Sequence, residues 1–383
     1  MAARKGSGPL PGPPKDKSKL RTGFTTGACS AAATKAAVLA LVTQRPTEQV
    51  TIKLPSTTHP TATFVVEKCE QASDFAYAEV RKDAGDDPDC TDKALLCARV
   101  VWSEKPGVEI EGGDGVGRIT RPGLGLDVGS AAINPVPRKM IFYCATEAMQ
   151  ETGQSGARGL QVTISVPGGQ EMAKQTLNAR LGIIGGISIL GRTGIVKPYS
   201  TAAFRASVEQ SIDVAKAQGV DEVVITTGGR SERFAMMIRK NEGTALPEAA
   251  YIQMGDFTGA SLKRAMKNGL RKVTVCGMIG KFSKIAAGVM QTHAAGSQVD
   301  MEFLAQVAKD VGADEETLAE IRAANTGRHV GEITEARGLR GFYDRLCEDV
   351  CRTCRGHIKD QLAIEAILTD FEEGKVLGRA VME

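Results

Sequence analysis

Residues 222–231 read EVVITTGGRS, and this stretch decides the fold class of the C-terminal half. It joins a run of β-branched residues, typical of a buried strand, to a pair of glycines and a helix-forming segment. The same order recurs in AYIQMGDFTG at residues 250–259 and in VTVCGMIGK at residues 273–281. Strands that alternate with helices in this way predict an open, mostly parallel sheet with helices on both faces.

The segments around these three stretches extend the pattern. Helices are predicted at residues 201–218, 231–240, 260–268 and, in several pieces, 299–356. Strand patterns at 362–369 and 376–381 flank a turn and predict a closing hairpin. We therefore predict an α/β domain over residues 197–383 that ends in this hairpin.

The N-terminal half has a different texture. Residues 1–18 are rich in Gly, Pro, Lys and Ser, which predicts a flexible tail. A helix at 27–42, capped by the segment Thr25–Gly27, and a second helix at 139–151 are predicted. Strand-like runs lie at 50–54, 62–69, 75–82 and 162–166, and a long Gly-rich loop is predicted at 112–137. These patterns predict an α+β domain over residues 19–196.

Composition limits the classes of protein to which the chain can belong. Hydrophobic residues make up 42% and charged residues 24%, which is typical of a soluble globular protein. A net charge of +3 and 4% aromatic residues do not favour nucleic-acid binding. We expect neither a membrane anchor nor a signal peptide, and nine cysteines then indicate reduced thiols in a cytoplasmic protein. A homo-oligomer is compatible with the sequence.

Ligands of open parallel sheets bind at the carboxyl ends of the strands, where glycine lets a ligand approach the backbone. An aspartate there suits ribose hydroxyls and free N–H groups suit a carboxylate, so a nucleoside-bearing cofactor is favoured. Glycines that only turn a strand into a helix are the alternative for each loop. Neither a P-loop nor a dinucleotide-binding glycine motif follows a strand. The candidate cofactor-binding residues are Thr227, Gly228, Gly229, Arg230, Gly255, Asp256, Gly277, Met278 and Gly280.

Several segments, in order along the chain, resemble the CbiD family. The matching segments include RTGFTTGAC (21–29), GDDPD (85–89), AINPVPR (132–138), the Gly-rich block 178–196, the loops at 227–230, 253–256 and 277–281, and Thr292-His293. The resemblance implies an S-adenosylmethionine-dependent enzyme of cobalamin biosynthesis that methylates carbon 1 of cobalt-precorrin-5B to give cobalt-precorrin-6A. It also implies an α+β domain followed by a Rossmann-like domain. Thr91-Asp92 and Arg192 depart from the family pattern, which argues against a family-wide catalytic role there.

A corrinoid carries many carboxylates, which Arg and Lys recognise. We expect the ring in the cleft between the two domains, beside the Gly-rich block 178–196, although that block could also be a buried crossover. The candidate substrate-binding residues are Arg118, Arg138, Arg180, Gly185, Gly186, Lys197 and Lys281. His293 is the candidate catalytic residue, and a purely structural histidine is the alternative. No metal site is predicted.

Two other functions are compatible with the sequence. Cys347, Cys351 and Cys354, followed by His357, have the spacing of an iron–sulfur cluster in radical enzymes, but they also form one stripe of a predicted helix, where buried cysteines act as small hydrophobes. A non-catalytic protein that binds corrinoid intermediates is the second alternative, because methyl transfer requires no catalytic triad.

Overall fold

The computed structural model describes residues 19–154, 158–293 and 296–383. The chain is divided into two compact units, the first ending at Ser200 and the second running from Thr201 to Glu383. Both units combine helices with sheets. The mixed α/β class predicted from the sequence is therefore confirmed, whereas the predicted tail, residues 1–18, lies outside the described residues.

The first unit is built around a five-stranded sheet. Its helices are α1 (Thr26–Thr43), α2 (Pro135–Glu151) and α3 (Gly169–Ala173). Its strands are β1 (Gly23–Phe24), β2 (Gln49–Lys53), β3 (Thr61–Val65), β4 (Lys68–Gln71), β5 (Phe75–Arg81), β6 (Leu95–Ser103), β7 (Val108–Gly112), β8 (Gly115–Val116), β9 (Arg118–Ile119), β10 (Gly159–Ser165), β11 (Ile183–Ile184), β12 (Gly186–Ile187) and β13 (Ile195–Val196). The sheet has the order β4-β5-β6-β10-β7, and only β10 and β7 are parallel neighbours in it.

Helix α1 lies in the core of the first unit, against α2 and the strands β5 and β6. The side chain of Thr25 caps it by accepting a hydrogen bond from the Ala28 backbone N–H, at 3.2 Å, as the sequence predicted. Within the described residues it is the one helix long and apolar enough to cross a membrane, but 83% of it is buried inside the unit. Its many alanines allow this close packing on both sheet and helix.

Two predicted boundaries in this unit were wrong. Helix α2 begins at Pro135 rather than at Lys139, with Asn134 as its N-cap. Proline is favourable in a first helical turn because the N–H that it lacks has no partner there. The strand predicted at 62–69 is two strands, β3 and β4, which belong to different sheets.

The two Gly-rich segments of the first unit pair with each other. Strand β8 is parallel to β12 and β9 is antiparallel to β11, so the loop predicted at 112–137 is partly strand. A Cβ atom at Gly186 would overlap the carbonyl oxygen of Gly115. The short distance between these two backbones leaves no space for a side chain at Gly186. It confirms the close backbone packing predicted for the block 178–196.

The second unit is built on one open sheet. Its helices are α4 (Thr201–Ala217), α5 (Gly229–Asn241), α6 (Thr258–Lys267), α7 (Ile279–Ala286), α8 (Met301–Asp310), α9 (Glu315–Ala323), α10 (Gly327–Ala336) and α11 (Phe342–His357). Its strands are β14 (Glu222–Thr226), β15 (Tyr251–Gln253), β16 (Lys272–Gly277), β17 (Ala363–Thr369) and β18 (Val376–Met382). The order is β15-β14-β16-β17-β18, with every pair parallel except the closing hairpin β17–β18.

The cysteines considered as cluster ligands lie on α11, in the core of the second unit. Cys347, Cys351 and Cys354 are each 0% exposed, and α11 packs on β17 and β18. The thiol of Cys351 donates to the carbonyl oxygens of Ile364 and Ala380, both at 3.5 Å. Among the described residues no group of His, Cys, Asp and Glu is arranged to hold a metal ion. The stripe is therefore a packing surface, as its helical spacing allowed.

Candidate functional site

The carboxyl ends of β14, β15 and β16 lie side by side at one edge of the sheet. Strand β14 lies between β15 and β16, so the chain leaves it toward β15 on one side and then returns past it to β16 on the other. Such a reversal of direction separates the connecting segments and opens a crevice, which is the usual ligand site of open parallel sheets. The candidate cofactor-binding residues lie on the three loops that follow these strands.

The loop after β14 leaves open space around its glycines. Gly228 is the N-cap of α5 and provides no side-chain cap, so the first N–H groups of the helix are not satisfied by a capping side chain. A Cβ at Gly228 would meet no atom within 4 Å, and one at Gly229 would first meet the Gln253 amide at 3.5 Å. Thr227 is held by a 2.9 Å hydrogen bond between its hydroxyl and that of Ser231. This loop can therefore accommodate an anionic group against the helix end.

The loop after β15 presents a carboxylate. Gly255 has a φ of 59°, and a Cβ there would lie 2.8 Å from the ring of Phe204. Phe204 also packs on Phe257, with ring centroids 5.7 Å apart, yet is 45% exposed. Phe204 was not predicted from the sequence, because its place in a helical pattern does not show that it reaches the loop. It places a partly exposed aromatic ring against this loop at Gly255.

Asp256 is anchored through one oxygen only. Its Oδ1 accepts a hydrogen bond from the Thr292 hydroxyl at 3.1 Å and pairs with the Lys281 ammonium group at 2.9 Å. The Thr292 backbone N–H also donates to the Asp256 carbonyl oxygen, at 3.1 Å. Within the described part of the chain Oδ2 has no hydrogen-bond donor, so it is available to a ligand hydroxyl.

The loop after β16 touches the loop after β14. A Cβ at Gly277 would lie 2.7 Å from the methyl group of Thr227, so this glycine allows close approach of the two loops. Met278 is the extended N-cap of α7 and makes no side-chain capping bond. A Cβ at Gly280 would meet nothing within 4 Å, which leaves open space beside the first turn of α7.

Lys281 makes contacts within the second unit that the sequence did not predict. The sequence suggested that it binds substrate carboxylates, but its ammonium group donates to the carbonyl oxygens of Thr227 at 3.1 Å and Gly255 at 3.3 Å and pairs with Asp256. Two hydrogen bonds and one ion pair thus engage the ammonium group. Because the ammonium group is bound to the loops of the second unit, a substrate carboxylate would have to displace one of these partners to bind it.

Arg230 faces a further strand end. Its guanidinium donates to the Phe371 carbonyl oxygen at 3.0 Å, just after β17, and the side chain of Arg328 lies 5.3 Å from the centre of the Phe371 ring. The sequence gave no signal for this partner, which is 141 residues distant. Arg230 is thus placed at the same edge of the sheet, but beside the loop after β17.

His293 follows Thr292, the residue that contacts Asp256. Its carbonyl oxygen accepts hydrogen bonds from the Gly296 N–H at 2.9 Å and the Ser297 hydroxyl at 3.1 Å, which shape the local turn. The side chain is partly buried. His293 thus follows directly a residue that contacts the loop after β15, which the sequence had suggested by placing it beside a candidate loop. Its catalytic role stays a prediction.

The remaining substrate candidates lie in the first unit. Arg118 and Ile184 are cross-strand neighbours of β9 and β11, and Ile184 is 52% exposed. Arg118 donates to the Gly129 carbonyl oxygen at 3.1 Å, and a Cβ at Gly185 would meet no atom within 4 Å. Together these residues present a cation beside an exposed apolar side chain and an open stretch of backbone.

Three other candidates of this unit have different surroundings. Arg138 is partly buried and donates to the Ile110 carbonyl oxygen at 3.0 Å, which favours a structural role. Gly186 is buried against the backbone of Gly115, so packing rather than ligand access accounts for the glycine there. Arg180 is partly buried and Lys197 is exposed.

The chain thus combines an α+β unit with a following α/β unit built on one open sheet. Two family models match parts of the chain: the CbiD model matches residues 13–198, and the CbiD C-terminal domain model matches residues 291–381, in the second half of the second unit. The chain belongs to the CbiD family, as the sequence segments indicated.

Several relatives that share one name match almost the whole chain. A cobalt-precorrin-5B C(1)-methyltransferase of a Geobacillus species is 50% identical over 95% of this chain and 98% of its own length. The protein of the same name from Priestia megaterium is 48% identical over 96% of this chain and 98% of its own. The crystal structure of the cobalamin biosynthesis protein CbiD from Archaeoglobus fulgidus is 24% identical, with a TM-score of 0.38 over 83% of this chain and 85% of that one.

Proposed function

We propose that this protein is an S-adenosylmethionine-dependent methyltransferase that methylates carbon 1 of cobalt-precorrin-5B, giving cobalt-precorrin-6A in cobalamin biosynthesis. The observation that carries the proposal is 50% identity over 95% of the chain to a relative of that name. The alternative is a non-catalytic carrier of corrinoid intermediates. Such a carrier would have to keep its similarity to these relatives over almost the whole chain after losing the activity. We place the reaction in the cytoplasm, where the free thiols of the chain stay reduced.

The second unit is proposed as a Rossmann-like cofactor domain. Three features support this assignment: the reversal of strand order at β14, the open space at Gly228 and Gly280, and the available Oδ2 atom of Asp256. Asp256 would accept hydrogen bonds from ribose hydroxyls, and the N-terminal N–H groups of α5 would bind a carboxylate. The exposed ring of Phe204 would cover an apolar part of the ligand.

S-adenosylmethionine supplies a methyl group on a sulfonium centre, from which an electron-rich ring carbon can displace it. The protein therefore needs no nucleophile of its own, and its residues serve to align the reactants and exclude water. Alignment requires loops that do not move, and the direct contact of Gly277 with Thr227 and the hydrogen bonds of Asp256 restrict them here. The observed site fits this requirement.

The first unit is proposed to supply contacts to the corrinoid. Its ring is apolar and its periphery carries carboxylates, so the exposed side chain of Ile184 next to the guanidinium group of Arg118 matches both properties. The cobalt ion belongs to this substrate. Neutral replacement of Arg118 should raise KM for the corrinoid while leaving cofactor affinity unchanged.

The direct test is turnover with methyl-labelled S-adenosylmethionine and anaerobically prepared cobalt-precorrin-5B. We expect one labelled methyl group in each product ring and one equivalent of S-adenosylhomocysteine. Tight binding of both ligands without label transfer would instead identify a carrier.

A further inference from the structure

Lys281 connects all three loops of the candidate cofactor site. It lies in the first turn of α7, after β16, and its ammonium group reaches the loop after β14 through the Thr227 carbonyl oxygen, at 3.1 Å. It reaches the loop after β15 through the Gly255 carbonyl oxygen at 3.3 Å and the Asp256 carboxylate at 2.9 Å. One side chain thus links segments that are 26 and 54 residues away in the sequence.

These contacts make the lysine difficult to replace. Its side chain is 35% exposed and that of Asp256 is 25% exposed, so the pair is partly shielded from water. Removal of the ammonium group would leave two carbonyl oxygens and one carboxylate without this donor. Unsatisfied acceptors of this kind are unfavourable, and the loops would relax toward solvent to satisfy them.

The orientation of Asp256 depends on the same contact. Lys281 and Thr292 both bind Oδ1, and this pairing leaves Oδ2 as the atom available to a ligand. A second lysine of α7, Lys284, supports Thr292 from the other side by donating to the carbonyl oxygens of Thr292 at 3.5 Å and Ser297 at 2.8 Å. Helix α7 therefore holds the carboxylate both directly and through its partner.

We propose that Lys281 is a positioning residue that sets the geometry of the three cofactor loops and directs the free oxygen of Asp256 to the nucleoside of the cofactor. The inference rests on the proposed function. In this proposal Lys281 serves the cofactor loops and does not bind substrate, so the proposal does not depend on which molecule accepts the methyl group.

The test measures binding of S-adenosylhomocysteine alone, by calorimetry. We expect Lys281→Met to weaken binding about tenfold or more, because the loops lose the donor that links them and Oδ2 of Asp256 loses its fixed direction. Lys267→Met, which removes an exposed lysine of α6, should bind like the wild type. Thr292→Val, which removes the other donor to Oδ1, should also weaken binding and serves if Lys281→Met does not fold.

A double-mutant cycle separates positioning from a general structural effect. If Lys281 acts partly through Asp256, Lys281→Met combined with Asp256→Asn should lose less affinity than the sum of the two single losses. Full additivity of the two losses, or wild-type affinity of folded Lys281→Met, would overturn the inference. Absence of S-adenosylhomocysteine binding by the wild type would instead refute the proposed cofactor site.

Discussion

At the scale of single residues, glycines mark the places where a ligand or another loop approaches the backbone. Gly277 and Gly186 lie against protein atoms, so their small size serves packing. Gly228 and Gly280 have space around them, so their small size serves access instead. From the sequence alone these four glycines look alike. Only their neighbours in three dimensions distinguish packing from access.

Gly229→Val tests the access role. The nearest atom to its Cβ would be the Gln253 side-chain nitrogen at 3.5 Å, an ordinary contact, so the variant should fold with stability within about 1 kcal/mol of wild type. The branched side chain should nevertheless obstruct the loop and weaken S-adenosylhomocysteine binding about tenfold or more. Calorimetric titration and thermal unfolding measure the two effects. Gly356→Val, at an exposed glycine near the end of α11 with open space around it, is the matched control and should leave affinity unchanged.

At the scale of elements, a buried ionic network joins α5 to four strands of the second unit, β14, β16, β17 and β18. Arg239 of α5 donates to Glu222 at 2.7 Å and to Glu365 at 2.6 Å. Lys272 lies 2.6 Å from the same Glu365 carboxylate, and Arg379 of β18 donates to it at 2.7 Å. Glu365 is 1% exposed, so its charge is stable only because these cations surround it.

Glu365→Gln should therefore change the pH dependence of stability. Burial acts to raise the pKa of Glu365, but Lys272, Arg379 and Arg239 outweigh it and lower that pKa from its ordinary value of 4.5 to about 2. Because the folded-state pKa is the lower one, the stabilisation is complete above about pH 4.5 and is lost as the pH falls toward about 2. We expect the variant to lose about 3 kcal/mol at pH 7 and to show a flatter profile below pH 4.5.

Urea unfolding at pH 7 and pH 3 measures this change. Glu372→Gln, in the exposed turn between β17 and β18, is the control and should unfold like the wild type at both values. Equal pH profiles for Glu365→Gln and wild type would show that the network does not hold this carboxylate charged.

The helix α11 offers a second test at this scale. Burial raises the pKa of the Cys351 thiol to about 12 and also raises those of Cys347 and Cys354, so few thiolates form at neutral pH. Iodoacetamide should label the partly exposed Cys69 and Cys90 before any thiol of α11. Peptide mass spectrometry of native and urea-unfolded protein measures the order. Rapid native labelling of the α11 thiols, or stoichiometric iron, would restore the cluster hypothesis.

At the scale of the whole molecule, the sequence predicted the second unit better than the first. Strands β14, β15 and β16 are short segments with mostly apolar centres, and a glycine ends or soon follows each one, a local pattern that can be recognised without knowledge of the neighbouring strands. Strands β6 and β7 gave no such prediction, because charged residues interrupt them and their pairing is set by distant partners. The contacts of Lys281 were not predicted for the same reason: a sequence shows its charge and not the carbonyl groups around it.

Hydrogen–deuterium exchange with and without S-adenosylhomocysteine tests most directly where the cofactor binds. We expect slower exchange in three segments of the second unit, residues 226–232, 254–260 and 276–282, with little change in the main sheet of the first unit. Protection confined to the first unit, with unchanged exchange in these three segments, would contradict the proposed cofactor site.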